Sequence, residues 1–168
     1  SAVIIGRDGG IVGVYDKVCP VTSRPDYTQF EGGITPGETF PVFDLDFGPV
    51  AVQICFDIGF AENWAALERA GARLVLWPSA YGGGFPLRCY AYLHHYWVVT
   101  SVRSRTSRVI DPVGECLIEA EPGPGFIWRD ISLDYFVLYN DFNRDMPRQV
   151  ANRYGERVQI RRWDTESS

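Results

Sequence analysis

Val50-Ala51-Val52-Gln53-Ile54-Cys55 is an apolar run, and Phe56-Asp57-Ile58-Gly59-Phe60 follows it at once. A run this short and this apolar, bounded by a Gly-containing turn, is the pattern of a buried strand. Helical spacing then begins near Glu62, with Trp64, Leu67, Glu68 and Ala70 running to Gly71, a residue suited to a helix C-terminus. Next comes Arg73-Leu74-Val75-Leu76-Trp77, a second nearly continuous apolar strand. Strand, helix, strand in this order implies a parallel pair joined by a right-handed crossover. Cys55 thus stands where a rigid strand turns toward a helix. A thiol so placed is a candidate nucleophile, with a buried structural cysteine as the competing reading.

The same grammar extends outward in both directions. Ala2–Gly6 and Ile11–Tyr15 read as strands joined by Asp8-Gly9-Gly10, a hairpin signal. A Pro-, Thr- and Gly-rich loop fills Pro20 to Gly37. Phe40–Leu45 and Val50–Cys55 then read as a hairpin through Asp46-Phe47-Gly48-Pro49. After Trp77, Pro78 to Gly84 reads as a loop, Pro86 to Tyr96 as a helix and Trp97 to Thr100 as a strand. Val109-Ile110 and Glu115–Ile118 flank a turn at Asp111–Gly114. Gly125–Ile131 reads as a last strand and Arg144–Tyr154 as a terminal helix. The pattern is α/β with a mixed sheet.

Bulk properties narrow the function classes. The 168 residues suit one domain with a sizeable core, and the net charge of −5 offers no basic surface for nucleic acid or an anionic membrane. No apolar stretch reaches the roughly 18 residues needed to span a bilayer, and no signal peptide is read, so a soluble cytoplasmic protein is expected. The four cysteines (Cys19, Cys55, Cys89, Cys116) form no C-x-x-C pair, which argues for reduced thiols rather than a zinc site or disulfide scaffold. His94 and His95 are adjacent and so do not share a helix face as a metal pair would. No cofactor is expected.

Two further features bear on Cys55. Lys17 is the only lysine among 16 basic residues. A lysine can stabilise a developing oxyanion or hold a thiolate ionised, although a solvated strand-end lysine is the plainer reading. Acids surround the pair in sequence. Glu31 could position Lys17 or a substrate amine, and Asp57 could cap the helix or orient the elbow after Cys55. For each alone, a surface or capping acid is the plainer reading.

Taken in order, Tyr15-Asp16-Lys17, Ile34-Thr35-Pro36-Gly37-Glu38 running into Pro41-Val42-Phe43-Asp44, Ile54-Cys55-Phe56-Asp57 with Phe60-x-Glu62, and Trp77-Pro78-Ser79-Ala80 resemble the nitrilase, or carbon–nitrogen hydrolase, superfamily. The resemblance runs from Ala2 to about Leu133. It implies a four-layer αββα sandwich and hydrolysis of a non-peptide C–N bond in a small amide, nitrile or N-carbamoyl substrate. By match, Cys55 is the nucleophile and Lys17 the family lysine, while Glu31 resembles a further glutamate near it. The Phe56 backbone N–H would join Lys17 in stabilising the oxyanion. Trp77 and Tyr81, at the same sheet edge, are expected to line the substrate pocket, with a core role for Trp77 as the equal competing reading.

One departure shapes the expectation. In the family the general-base glutamate lies upstream of the lysine, and here sixteen residues precede Lys17. The chain is therefore expected to hold the C-terminal part of such a domain, over residues 1–143, followed by a helix and charged tail over 144–168. It is expected to be inactive by itself and to form a homo-oligomer in its full-length form. The competing readings are a truncated, inactive module that acts only by association, and a Cys-His hydrolase using His94 or His95.

Overall fold

β4 (Gly48–Val52), β5 (Leu74–Ser79) and β6 (Trp97–Val102) run parallel at the centre of a six-stranded sheet. α1 (Ala61–Arg69) connects the first two and α2 (Phe85–His94) the second two. β3 (Val42–Leu45) pairs antiparallel with β4 on one side. On the other, β7 (Arg108–Ile110) and β8 (Cys116–Glu119) continue the sheet antiparallel, giving the order β3-β4-β5-β6-β7-β8. β1 (Ala2–Ile5) and β2 (Ile11–Tyr15) form a separate antiparallel hairpin. This is the mixed α/β architecture expected from the sequence. The structure is a computed structural model and describes residues 1–23, 28–103, 106–121, 125–139 and 141–162.

The strand period of two divides the core between two faces. Ala51, Val75, Trp77 and Val98 point to one side and pack with Trp64 and Leu67 of α1 and Leu87 and Ala91 of α2. Val52 points to the other side, where it packs with Phe43, Ile4, Tyr15 and the half-buried Leu76. The β1–β2 hairpin therefore covers part of the face opposite the helices. Gly13 of β2 lies over the Phe43 ring so closely that a Cβ there would enter the ring. That contact is what a glycine in mid-strand permits.

Local endings follow the sequence signals. α1 stops through Ala70 and Gly71 (φ +87°), whose N–H groups bond to Ala66 and Glu68 carbonyls. α2 stops at His95, which takes a left-handed conformation (φ +50°). The reading of Gly125–Ile131 as a strand is corrected. Among the described residues they pair with no strand, and Phe126 and Trp128 are 87% and 73% exposed. The sheet ends at β8, and the segment passes Ile118 of that edge without joining its ladder. It is followed by a stretch held from the side: Trp97 Nε1 donates to the Ser132 carbonyl and Arg73 Nε to that of Leu133.

By internal contacts the chain forms two compact units, Ser1–Tyr135 and Phe136–Ser168. The second contains α3 (Met146–Tyr154), with Pro147 in its first turn and no buried residue. Of the Pro20–Gly37 loop, residues 24–27 lie outside the described residues, as do the last six residues of the charged tail. Among the described residues, no helix is long and apolar enough to cross a membrane. No group of three or more His, Cys, Asp or Glu is placed among them to hold a metal ion.

Candidate active site

β4 ends at Val52, and the chain makes a short 3₁₀ turn over Cys55–Gly59 before α1. Cys55 opens that turn with φ at +52°, a left-handed conformation that costs a non-glycine residue on the order of 1–2 kcal/mol. Contacts from distant chain hold it there. Trp77 Nε1 donates to the Cys55 carbonyl at 3.2 Å and the Tyr81 hydroxyl reaches the same oxygen at 3.4 Å. The Trp77 and Tyr81 rings meet edge to face at 5.5 Å. Trp77 is fully buried, so it reaches the site through its indole N–H and otherwise belongs to the core. Tyr81 is 40% exposed, and Cys55 is half-buried. Phe56, next in the chain, is partly exposed and lies edge-on to Phe60.

Lys17 stands two residues beyond β2 and is 8% exposed. Its Nζ donates to Glu31 Oε1 in a short ion pair. The loop is shaped for this pairing. A bridge between Thr22 and Phe30 folds the chain back, and Glu31 N–H donates to the Val21 carbonyl at 2.8 Å. The Val21 N–H in turn reaches Glu31 Oε1 at 3.3 Å. Hydrogen bonding from Lys17 holds the Glu31 carboxyl below the ordinary carboxylate range. Because that value is depressed, the pair supports the loop above the unfolded carboxylate value, about pH 4.3, and its support is lost as pH falls through the folded value. Glu31 is thus a carboxylate committed to Lys17, and a poor acceptor for a thiol proton.

The Lys17–Glu31 pair and the Cys55–Trp77–Tyr81 group are linked through Asp57. Its carboxylate is wholly buried and accepts from the Tyr15 hydroxyl (2.7 Å), the Cys19 N–H (2.8 Å) and the Ile54 N–H (2.8 Å). Gln53, also wholly buried, donates to the Tyr15 hydroxyl at 3.3 Å. Burial and the neighbouring carboxylate push the Tyr15 phenol well above its ordinary value, so it stays a donor. The sequence pointed to Asp57 as a residue that could orient the turn. It gave no sign of Tyr15, Gln53 and the Cys19 N–H as partners; the one available cue was an acid set in the apolar context Cys55-Phe56-Asp57-Ile58. The histidines lie in other networks: His94 Nδ1 is 2.7 Å from Glu68 Oε2 and His95 Nδ1 3.0 Å from the Pro112 carbonyl.

A close approach also fixes Lys17. Gly37 N–H donates to the Lys17 carbonyl at 2.9 Å, and a Cβ at Gly37 would strike the Asp16 carbonyl. Gly37→Ala is expected to push the two segments apart, costing about 1–3 kcal/mol in a urea titration. A change below about 0.5 kcal/mol would show that this approach is slack.

The sequence profile of the carbon–nitrogen hydrolase family matches residues 1–140. The chain belongs to the carbon–nitrogen hydrolase family. Among its relatives, omega-amidase NIT2 of Xenopus tropicalis is 29% identical over 158 residues, covering 82% of this chain and 57% of that protein. Beta-ureidopropionase of Arabidopsis thaliana is 38% identical over 82 residues, 48% of this chain and 19% of that protein. A variant of the amidase from Nesterenkonia sp. AN1 superposes with a TM-score of 0.59 at 26% identity, covering 68% of this chain and 49% of that one. In that structure the acetamide moiety of fluoroacetamide is covalently attached to the active-site cysteine. The chain spans about half the length of omega-amidase NIT2, and less of beta-ureidopropionase.

Proposed function

We propose that this segment carries the nucleophile and the oxyanion-stabilising side of an amidase site, within a longer parent enzyme. The observation that carries the reading is Cys55 held at positive φ on a turn that Asp57 ties to the Lys17 segment. Cys55 attacks the carbonyl or nitrile carbon of a small amide, N-carbamoyl compound or nitrile, and its thiol proton passes to a carboxylate base. Lys17 and the Phe56 N–H stabilise the charge that develops on the attacked oxygen or nitrogen. For an amide, the C–N bond breaks, the amine leaves with the proton returned by the base, and water then cleaves the thioester to the acid. Trp77 fixes the nucleophile's carbonyl and Tyr81 forms the exposed wall beside it.

The base is proposed to come from the parent polypeptide outside this segment. Glu31 is bound to Lys17, and Asp57 is buried under three donors, so neither is placed to take the proton. Loss of a general base costs about 10²- to 10⁴-fold. The purified 168-residue chain is therefore expected to show no measurable hydrolysis of acetamide, an omega-amide or an N-carbamoyl amine. Robust turnover that Cys55→Ala abolishes would overturn the divided-site reading while leaving Cys55 as the nucleophile.

A second reading, association without catalysis, draws on the outer face of the β1–β2 hairpin, where Ile5 and Ile11 are 63% and 71% exposed. Apolar surface of this kind favours self-association, and a homo-oligomeric parent is proposed on the same ground. Sedimentation velocity of the chain gives a concentration-dependent mass if that face associates, and a monomer at all concentrations if it does not.

A further inference from the structure

We propose that Asp57 is a positioning residue that holds Lys17 in register with the Cys55 turn, so that removing its bonds uncouples the lysine from the thiol. This rests on the site reading given under Proposed function and names how that site is assembled. Tyr15 and Cys19 stand two residues on either side of Lys17, and both are anchored on the Asp57 carboxylate. With Cα atoms 3.8 Å apart along the chain, Lys17 has little freedom between two such fixed points. The same carboxylate fixes the Ile54 N–H, one residue before Cys55. One buried group thus sets both ends of the pair.

The chemistry requires a carboxylate at this position. Three donors converge on two oxygens, Tyr15 O–H and Ile54 N–H on Oδ2 and Cys19 N–H on Oδ1. An ionised carboxylate is acceptor-only and can take them all, whereas an amide presents an NH₂ at one of the two places. In Asp57→Asn that NH₂ faces either the Cys19 N–H or the Ile54 N–H, leaving one backbone donor buried and unpaired. Tyr15→Phe is milder: it removes the phenol's bonds to Asp57 and Gln53 and leaves both backbone bonds to the carboxylate in place. Gln53 Nε2, which donates to the Tyr15 oxygen, favours the rotamer in which that hydroxyl points at Asp57.

The test is a double-mutant cycle on the full 168-residue chain, read as the rate of Cys55 alkylation by iodoacetamide at pH 7. Peptide-level mass spectrometry separates Cys55 from the other three cysteines, and melting curves are recorded for every variant. In the wild-type background, Lys17→Met is expected to slow Cys55 alkylation about three- to tenfold, the effect the site reading requires of a lysine that acts on the thiol. In the Asp57→Asn background the same change is expected to matter less than about twofold, and in the milder Tyr15→Phe background its effect is expected to fall part of the way. If the Lys17 effect keeps its full size in both backgrounds, Asp57 is merely structural and the proposal fails while the site reading stands. If Lys17→Met has no effect in the wild type, the site reading fails first and this proposal with it. Should Asp57→Asn melt below the assay temperature, the Tyr15→Phe cycle decides: a reduced Lys17 effect supports the proposal and one of full size overturns it.

Discussion

Trp64→Ala is expected to destabilise the chain by about 3–5 kcal/mol, the range for removing a buried large aromatic side chain. Trp64 is fully buried and stacks on Tyr90 of α2, with ring centroids 4.5 Å apart and planes 9° from parallel. Its indole N–H donates to the Asp57 carbonyl at 3.1 Å. One side chain therefore joins α1, α2 and the turn that bears the nucleophile. Truncation leaves a cavity at the helix–sheet interface and removes one of the two bonds to the Asp57 carbonyl, which the Phe60 N–H alone then holds. Against the 5–15 kcal/mol typical of a whole domain, this loss is a large fraction. A urea titration at 25 °C reads it as a fall in midpoint with little change in slope. Trp64→Phe keeps most of the packing and loses the N–H, for an expected cost nearer 1–2 kcal/mol. A Trp64→Ala cost below about 1 kcal/mol would mean that the helices are not the support of the turn.

Much of this architecture was legible because it depends on local pattern. The parallel core was read from Val50–Cys55 and Leu74–Trp77, whose apolar character is what a strand covered on both faces demands. The hairpin at Asp8-Gly9-Gly10 was read from turn chemistry, and Gly9 does take positive φ there (+82°). The Gly125–Ile131 reading failed for a complementary reason. Phe126-Ile127-Trp128 has the composition of a strand, but a strand needs an edge to pair with, and sequence does not say that the ladder ends at β8.

The site divides along the same line. Cys55, Lys17 and Glu31 were singled out by residue type and order, and the ion pair between the last two is present. What the sequence could not supply was the connection. The left-handed conformation of Cys55 is sustained by Trp77 and Tyr81, 22 and 26 residues further on. Asp57 is satisfied from Tyr15 and Cys19, 42 and 38 residues earlier. Bonds of that range are set by packing of the hairpin on the sheet, which no local spacing encodes. Trp77 shows the same limit: its place at the end of a strand is open to a pocket wall or a core role, and the alternation of β5 packs its ring into the core.

The second large effect concerns the four thiols. Burial pushes the Cys19 and Cys116 thiols above their ordinary range. Cys19 Sγ also accepts from Asn63 Nδ2 at 3.3 Å, and Cys116 Sγ lies 3.6 Å from the Ile118 carbonyl. Cys89 sits within α2, in an ordinary helical setting. All four cysteines are half-buried, and among them Cys55 alone opens a strained turn, with its carbonyl turned back onto Trp77 and Tyr81 and the Lys17 segment tied to it through Asp57. If it is the nucleophile, its reactivity should stand apart from the rest by about tenfold or more. Cys55→Ala should remove that reactive class without unfolding the chain, because the bonds to its carbonyl and to Ile54 do not involve the thiol.

The most direct measurement is substoichiometric iodoacetamide labelling of the native chain at pH 7, followed by peptide mapping of all four cysteines. The expected result is adduct on Cys55 at least about tenfold ahead of Cys19, Cys89 and Cys116, with the fast phase absent in Cys55→Ala. Equal labelling of the four, or a fast phase on another cysteine that survives Cys55→Ala, would contradict Cys55 as the nucleophile.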